Sequence, residues 1–152
     1  MKMTFQCSSR SPENSGRLSM KSVKEEPVVS IDRELVNIIL EGARRLHPKE
    51  SILLLRGKRS ENIVKITDLL VPPLATYGLG FAEVRLHRLP MDFSVVGTVH
   101  SHPSGNFNPS SADLNHFFGR VLMIAAFPFT DENNIAVYTR NGERVKLQVT
   151  EI

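Results

Sequence analysis

The sequence predicts a mixed α/β (α+β) domain built around a curved β-sheet. Three observations carry this. An amphipathic segment is followed by a series of short apolar runs, a second and shorter helical segment interrupts that series, and an Asn-Gly turn signal joins the last two runs.

Ser30 reads as the N-cap of the first helix, with Asp32 and Glu34 placed in its first turn. Ile31, Leu35, Ile38, Ile39, Ala43 and Leu46 recur at helical spacing and form one apolar stripe. Pro48 disfavours helical geometry at His47, so the helix is expected to stop near Leu46. Ile52 to Leu55, closed by Arg56-Gly57-Lys58, suits a strand buried on both faces. Ile63 to Val71 reads as a strand ended by Pro72-Pro73. In Phe81 to Leu89, Ala82, Val84 and Leu86 alternate with Glu83, Arg85 and His87. Ser94 to Val99 is another apolar strand. Ser110 opens the second helix, with Leu114, Phe117 and Phe118 on its buried side and Gly119 near its end. Val121 to Phe127, Ile135 to Thr139 and Arg144 to Val149 are three further strands, the last two joined at Asn141-Gly142.

The 152 residues, 41% hydrophobic and 23% charged, suit one soluble domain with its own core. Residues 1–27 are polar and read as a disordered extension, which leaves 28–152 as the domain. The single cysteine, Cys7, excludes a disulfide framework and a cysteine-rich zinc site, and reads as an incidental thiol. No apolar run approaches the roughly 18 residues of a membrane span, and no secretory signal opens the chain, so a cytoplasmic location is expected. The pI of about 9.2 suggests nucleic acid, but residues 1–27 carry +2 of the net +3 and the remainder only +1. Charge therefore gives little support to nucleic-acid binding.

The chemistry concentrates in His100-Ser101-His102-Pro103 and Ser110-Ser111-Ala112-Asp113. If the strand stays extended through His102, His100 and His102 project to the same side and can chelate one metal ion. Asp113 adds an oxygen ligand if the intervening loop folds back. Two histidines and a carboxylate suit Zn²⁺, and three protein ligands leave a fourth position open, as in catalytic zinc sites. Each part has a plainer reading. Ser110 with Asp113 three residues on is a capping pattern, and paired turn histidines are usually only solvated. Their convergence at one spot favours the metal. His47 reads as a helix-end residue, His87 as a strand-surface one, and His116 as part of the second helix.

With these residues in view, the sequence resembles the JAB/MPN metalloprotease family and its JAMM motif, over roughly residues 28–152. The compact form resembles the stand-alone archaeal and bacterial isopeptidases. The resemblance implies a cytidine-deaminase-like MPN/JAB1 fold, one zinc per chain on His100, His102 and Asp113, and an oxyanion-stabilising role for Ser110. It places the catalytic glutamate just before the strand that follows the first long helix, where Glu50 stands; Leu53 occupies a place where many members carry glycine. Glu41, in the helix body, and Glu83, on a polar strand face, are the competitors. The implied activity is zinc-dependent hydrolysis after the C-terminal glycine of a ubiquitin-like modifier, with Glu50 as general base. Ubiquitin-like or sulfur-carrier protein conjugates are the expected partners, the tail of the modifier lying along a strand edge such as Phe81 to Leu89. The oligomeric state stays open between monomer and homodimer. Three other readings remain at this point: a RadC-like protein of DNA metabolism, a sulfur-carrier-processing peptidase and a non-catalytic zinc scaffold.

Overall fold

The computed structural model describes residues 25–72 and 92–151, together with the backbone of 76–78 and 81–83. The expected disorder of residues 1–24, Cys7, His87 and most of the Phe81 to Leu89 strand lie outside the described residues. Two short strands, Thr76–Gly78 (β4) and Phe81–Glu83 (β5), pair antiparallel.

Among the described residues, seven further strands form one mixed sheet that curves until its ends meet, in the order β1-β3-β2-β6-β7-β8-β9. Their ranges are β1 Val28–Asp32, β2 Ile52–Arg59, β3 Ile63–Leu70, β6 Val95–His102, β7 Val121–Ala126, β8 Ile135–Thr139 and β9 Arg144–Thr150. β1 closes the sheet by pairing parallel with both β3 and β9. β6 and β7 are parallel, and the remaining neighbours are antiparallel. The curved mixed sheet agrees with the sequence expectation.

Two local expectations change. Ser30 is not a helix cap but the middle of β1, whose Val29 and Ile31 point into the core. The helix α1 (Arg33–Leu46) starts two residues later with Asp32 as its N-cap residue, and the Asp32 carboxylate accepts from the Thr150 hydroxyl at 2.6 Å instead of capping. Of the stripe counted from Ile31, Leu35, Ile39 and Ala43 do face the core. Val36, Ile39, Leu40 and Ala43 are buried, whereas Ile38 and Leu46 are exposed. The second change is in β2, which runs through Arg56-Gly57-Lys58 with a bulge between Arg56 and Gly57. A side chain at Gly57 would lie 2.1 Å from the Lys65 carbonyl oxygen, so here glycine permits close pairing where the sequence suggests a stop.

β6 and β7 are buried along their whole length. Along β7, Val121, Met123 and Ala125 pack in the main core with the buried face of α1, and Leu122 and Ile124 pack with Ala136, Tyr138, Phe107, Leu114 and Phe117 on the other. The site-bearing strand thus runs beside the most deeply covered strand of the sheet. The second helix, α2 (Ser111–Asn115), is one turn long and does not reach Gly119. Among the described residues, no helix is long and apolar enough to cross a membrane.

Candidate metal centre

β6 remains extended to its last residue, His102, so the two histidines share one face. The loop 103–110 then folds back and sets α2 against that face. Tyr138 fastens the loop by donating its hydroxyl to the Phe107 carbonyl at 2.6 Å. Asp113 arrives with its Oδ1 3.3 Å from His100 Nδ1 and its Oδ2 3.4 Å from His102 Nε2. His100 and His102 are 7% and 8% exposed, so the cluster is shielded from bulk water.

Ser110 and Asp113 form a reciprocal capping box. The Ser110 N–H donates to Asp113 Oδ2 at 2.7 Å, and the Asp113 N–H donates to Ser110 Oγ at 3.1 Å. The cap and the site are one structure, because the cap is what aims the carboxylate. His102 is oriented from its far side by a hydrogen bond of Nδ1 with the Asn106 carbonyl at 2.8 Å. A carbonyl only accepts, so Nδ1 carries the proton and a neutral His102 presents the Nε2 lone pair to Asp113. Sequence reasoning missed this partner, since a backbone carbonyl leaves no side-chain signature.

The residues of the cluster shift one another's protonation. Burial would raise the Asp113 pKa, but hydrogen bonds from His100, His102 and Ser110 hold its carboxyl well below the usual carboxylate range. Burial would lower His102, but its bonds to Asp113 and Asn106 and the charges of Asp113 and Glu50 outweigh this and leave it above the ordinary imidazole value. A neutral His102 would face a carboxylate lone pair to lone pair, an arrangement that a proton or a metal ion between them relieves. The 3.3 and 3.4 Å separations are longer than good N–H···O bonds. Each runs to a different Asp113 oxygen, so the carboxylate bridges the two imidazoles. By type, two imidazoles and a carboxylate are donors that zinc accepts. Among the described residues, no group of three or more His, Cys, Asp or Glu side chains is arranged to hold a metal ion as it stands.

Glu50 stands half-buried just before β2. Burial raises its pKa above the usual range; His102 and His100 oppose that rise and Asp113 adds to it, so Glu50 shares the field of the cluster. Glu41, by contrast, is engaged on the helix surface by Arg44 and Arg45, at 2.8 and 2.9 Å. The side chain of Glu83 lies outside the described residues. His47 caps the end of α1 and stacks on Phe127, and His116 follows α2, its Nδ1 2.9 Å from the Ala112 carbonyl oxygen.

Residues 32–146 match the family model of prokaryotic homologues of the JAB domain. A Haloferax volcanii protein named as a probable metalloprotease is 34% identical over 137 residues, covering 86% of this chain and 84% of the relative. A JAB1/MPN domain protein from Archaeoglobus fulgidus shares the fold with a TM-score of 0.60 and 39% identity, over 80% of this chain and 99% of that one. A structure described as JAMM, a metalloprotease-like zinc site in the proteasome and signalosome, superposes with a TM-score of 0.56 and 34% identity, over 83% and 99% of the two chains. With more than half of its length matched by the family model and relatives above 30% identity, the chain belongs to the family of prokaryotic homologues of the JAB domain.

Proposed function

We propose that the protein is a zinc-dependent isopeptidase that releases ubiquitin-like modifiers by hydrolysis after their C-terminal glycine. The observation that carries this reading is the meeting of His100, His102 and Asp113 beside a half-buried Glu50 that feels the charge of all three. His100, His102 and Asp113 are the residues that would hold zinc. When bound, zinc supplies a Lewis acid and lowers the pKa of a bound water to about 7.

The chain's own residues supply the rest. Glu50, as general base, takes a proton from the attacking water as its oxygen bonds to the carbonyl carbon. Glu50 then gives that proton to the leaving amine as the C–N bond breaks, so that one carboxylate serves both transfers. Ser110 uses an oxygen lone pair in the cap, which leaves its O–H free to donate to the developing oxyanion. Donors of this kind contribute about 2.7–4 kcal/mol to transition-state stabilisation in other enzymes. Asn106 holds His102 in the tautomer a ligand needs. Both the name of the Haloferax relative and the zinc site described for the proteasome and signalosome structure support the metallopeptidase reading.

The test is cleavage of a panel of ubiquitin-like and sulfur-carrier conjugates, with and without chelator, by wild type and Glu50→Gln. Glu50→Gln keeps the size of the side chain and removes its basicity. Zinc content and conjugate binding should survive, and turnover should fall by the roughly 10²–10⁴-fold of a lost general base. Near-normal turnover would reassign the base, with Glu83 tested next. Zinc lost in proportion to activity would make Glu50 a ligand, and cleavage indifferent to chelation would end the zinc reading.

A further inference from the structure

Ser101 lies between the two histidines on β6 and, by strand alternation, projects to the opposite face. It is 2% exposed. Its N–H donates to the Ser51 carbonyl at 3.0 Å, as the antiparallel β2–β6 ladder requires. The return bond departs from the ladder. The Ser51 N–H donates to Ser101 Oγ at 2.7 Å, and the Ser51 hydroxyl donates to the same oxygen at 3.0 Å. A side-chain oxygen thus stands where a backbone carbonyl stands further along the pair, and β2 begins only at Ile52, opposite His100. Glu50 and Ser51 lie outside any strand.

We infer that Ser101 is a positioning residue for Glu50: its hydroxyl oxygen ends the β2–β6 ladder at Ser51 and so carries the Glu50 carboxylate over the His100–His102–Asp113 cluster. This rests on the reading of Glu50 as general base. The same three-residue stretch of β6 therefore sets both halves of the centre, with the histidines on one face and the base through Ser101 on the other.

Ser101→Ala removes the acceptor. Ser101→Thr keeps it and adds one methyl group, which the adjoining cavity of about 420 Å³, lined by Ser51, Ser101, Ile52, Val99 and Ala125 among others, can receive. The experiment measures four quantities on the full zinc-loaded chain: zinc content, exchange of the Ser51 amide by NMR, and kcat and KM on the best conjugate of the panel. In Ser101→Ala the Ser51 amide should exchange faster and kcat should fall about 10–100-fold, as for a base displaced by about an ångström, with KM and zinc unchanged. Ser101→Thr should restore both the amide protection and kcat. In a Glu50→Gln background, Ser101→Ala should cost nothing further, since no base remains to be placed. Equal losses in the two backgrounds, zinc lost along with kcat, or an unchanged Ser51 amide would each overturn the inference. An inactive Glu50→Gln beside a fully active Ser101→Ala would overturn this inference alone. A fully active Glu50→Gln would remove the base and this inference together.

Discussion

Gly97→Ala is a one-methyl change with a large expected cost. Gly97 lies opposite Val121 where β6 and β7 run parallel. A methyl carbon there would sit 2.0 Å from the Val121 carbonyl oxygen, 2.7 Å from its Cγ2 and 2.9 Å from its carbonyl carbon. Ordinary contact starts near 3.4 Å, so the strands would have to part by more than an ångström. Two of the three obstacles are backbone and the third is a stiff β-branched methyl, so no side chain can swing aside. Overpacking of this kind costs about 1–3 kcal/mol and more where backbone must move, so at least ~3 kcal/mol is expected. That is a large part of the 5–15 kcal/mol typical of a domain and lowers Tm by about 6–12 °C at this chain length. His100 and His102 follow on the same strand, so zinc uptake should weaken as well. Gly42→Ala, in α1, is the matched control. Nothing lies within 4 Å of its added carbon, and removing a helix glycine should stabilise by about 0.5–1 kcal/mol. Equilibrium unfolding in urea, with equal m-values, reads both. A Gly97→Ala protein within about 0.5 kcal/mol of wild type would refute the close approach of β6 and β7.

Asp113→Asn should lose zinc and activity while keeping an oxygen for the Ser110 N–H; Asp113→Ala should lose in addition about 1 kcal/mol of stability with the cap. Elemental analysis decides, and undiminished zinc in Asp113→Asn would remove Asp113 from the ligands. The metal-free and zinc-loaded proteins should respond oppositely to pH. The raised His102 pKa contributes stability that is full below the ordinary 6.5 and fades as pH rises through the folded value, whereas the Asp113 contribution is lost only in acid. Metal-free Tm should therefore decline from pH 6 towards alkaline pH. Zinc needs deprotonated ligands, so the stabilisation it adds should grow over the same range, and parallel Tm profiles would contradict the shared site. A chain beginning at Glu25 should match the full chain by circular dichroism and turnover. One beginning at Arg33 lacks β1 and leaves β3 and β9 without their shared partner, so it should not fold.

The sheet was legible where the signal is local. The parallel neighbours β6 and β7 read as apolar runs because both their faces are covered, and Ile135–Thr139 announces itself through its flanking turns. β1 was not legible. Its Val29/Ile31 alternation spans only five residues, and its partners Val64 and Leu147 lie far along the chain, so a Ser-x-Asp pattern reads equally well as a helix start. The same competition put the start of α1 two residues too early. Gly57 misled for a related reason: a glycine that ends one strand and a glycine that lets a neighbour come close look alike until the neighbour is known.

The site shows a different limit. The sequence offers Ser110 and Asp113 as either a cap or a metal-site pair, and the structure shows the cap with the Asp113 carboxylate facing both histidines. The Asp113 carboxylate cannot face His100 and His102 with a defined oxygen on each unless something fixes its rotamer, and the Ser110 N–H does so at 2.7 Å. Spacing brings His100, His102 and Asp113 together as candidate donors because strand and cap geometry are local rules. The groups that hold the donors are invisible to such rules. The Asn106 carbonyl that fixes the His102 tautomer belongs to the backbone, and the Ser101 hydroxyl reaches Ser51 fifty residues away. A pattern can therefore name candidate donors, but what keeps those groups in place appears only when β2 is laid beside β6.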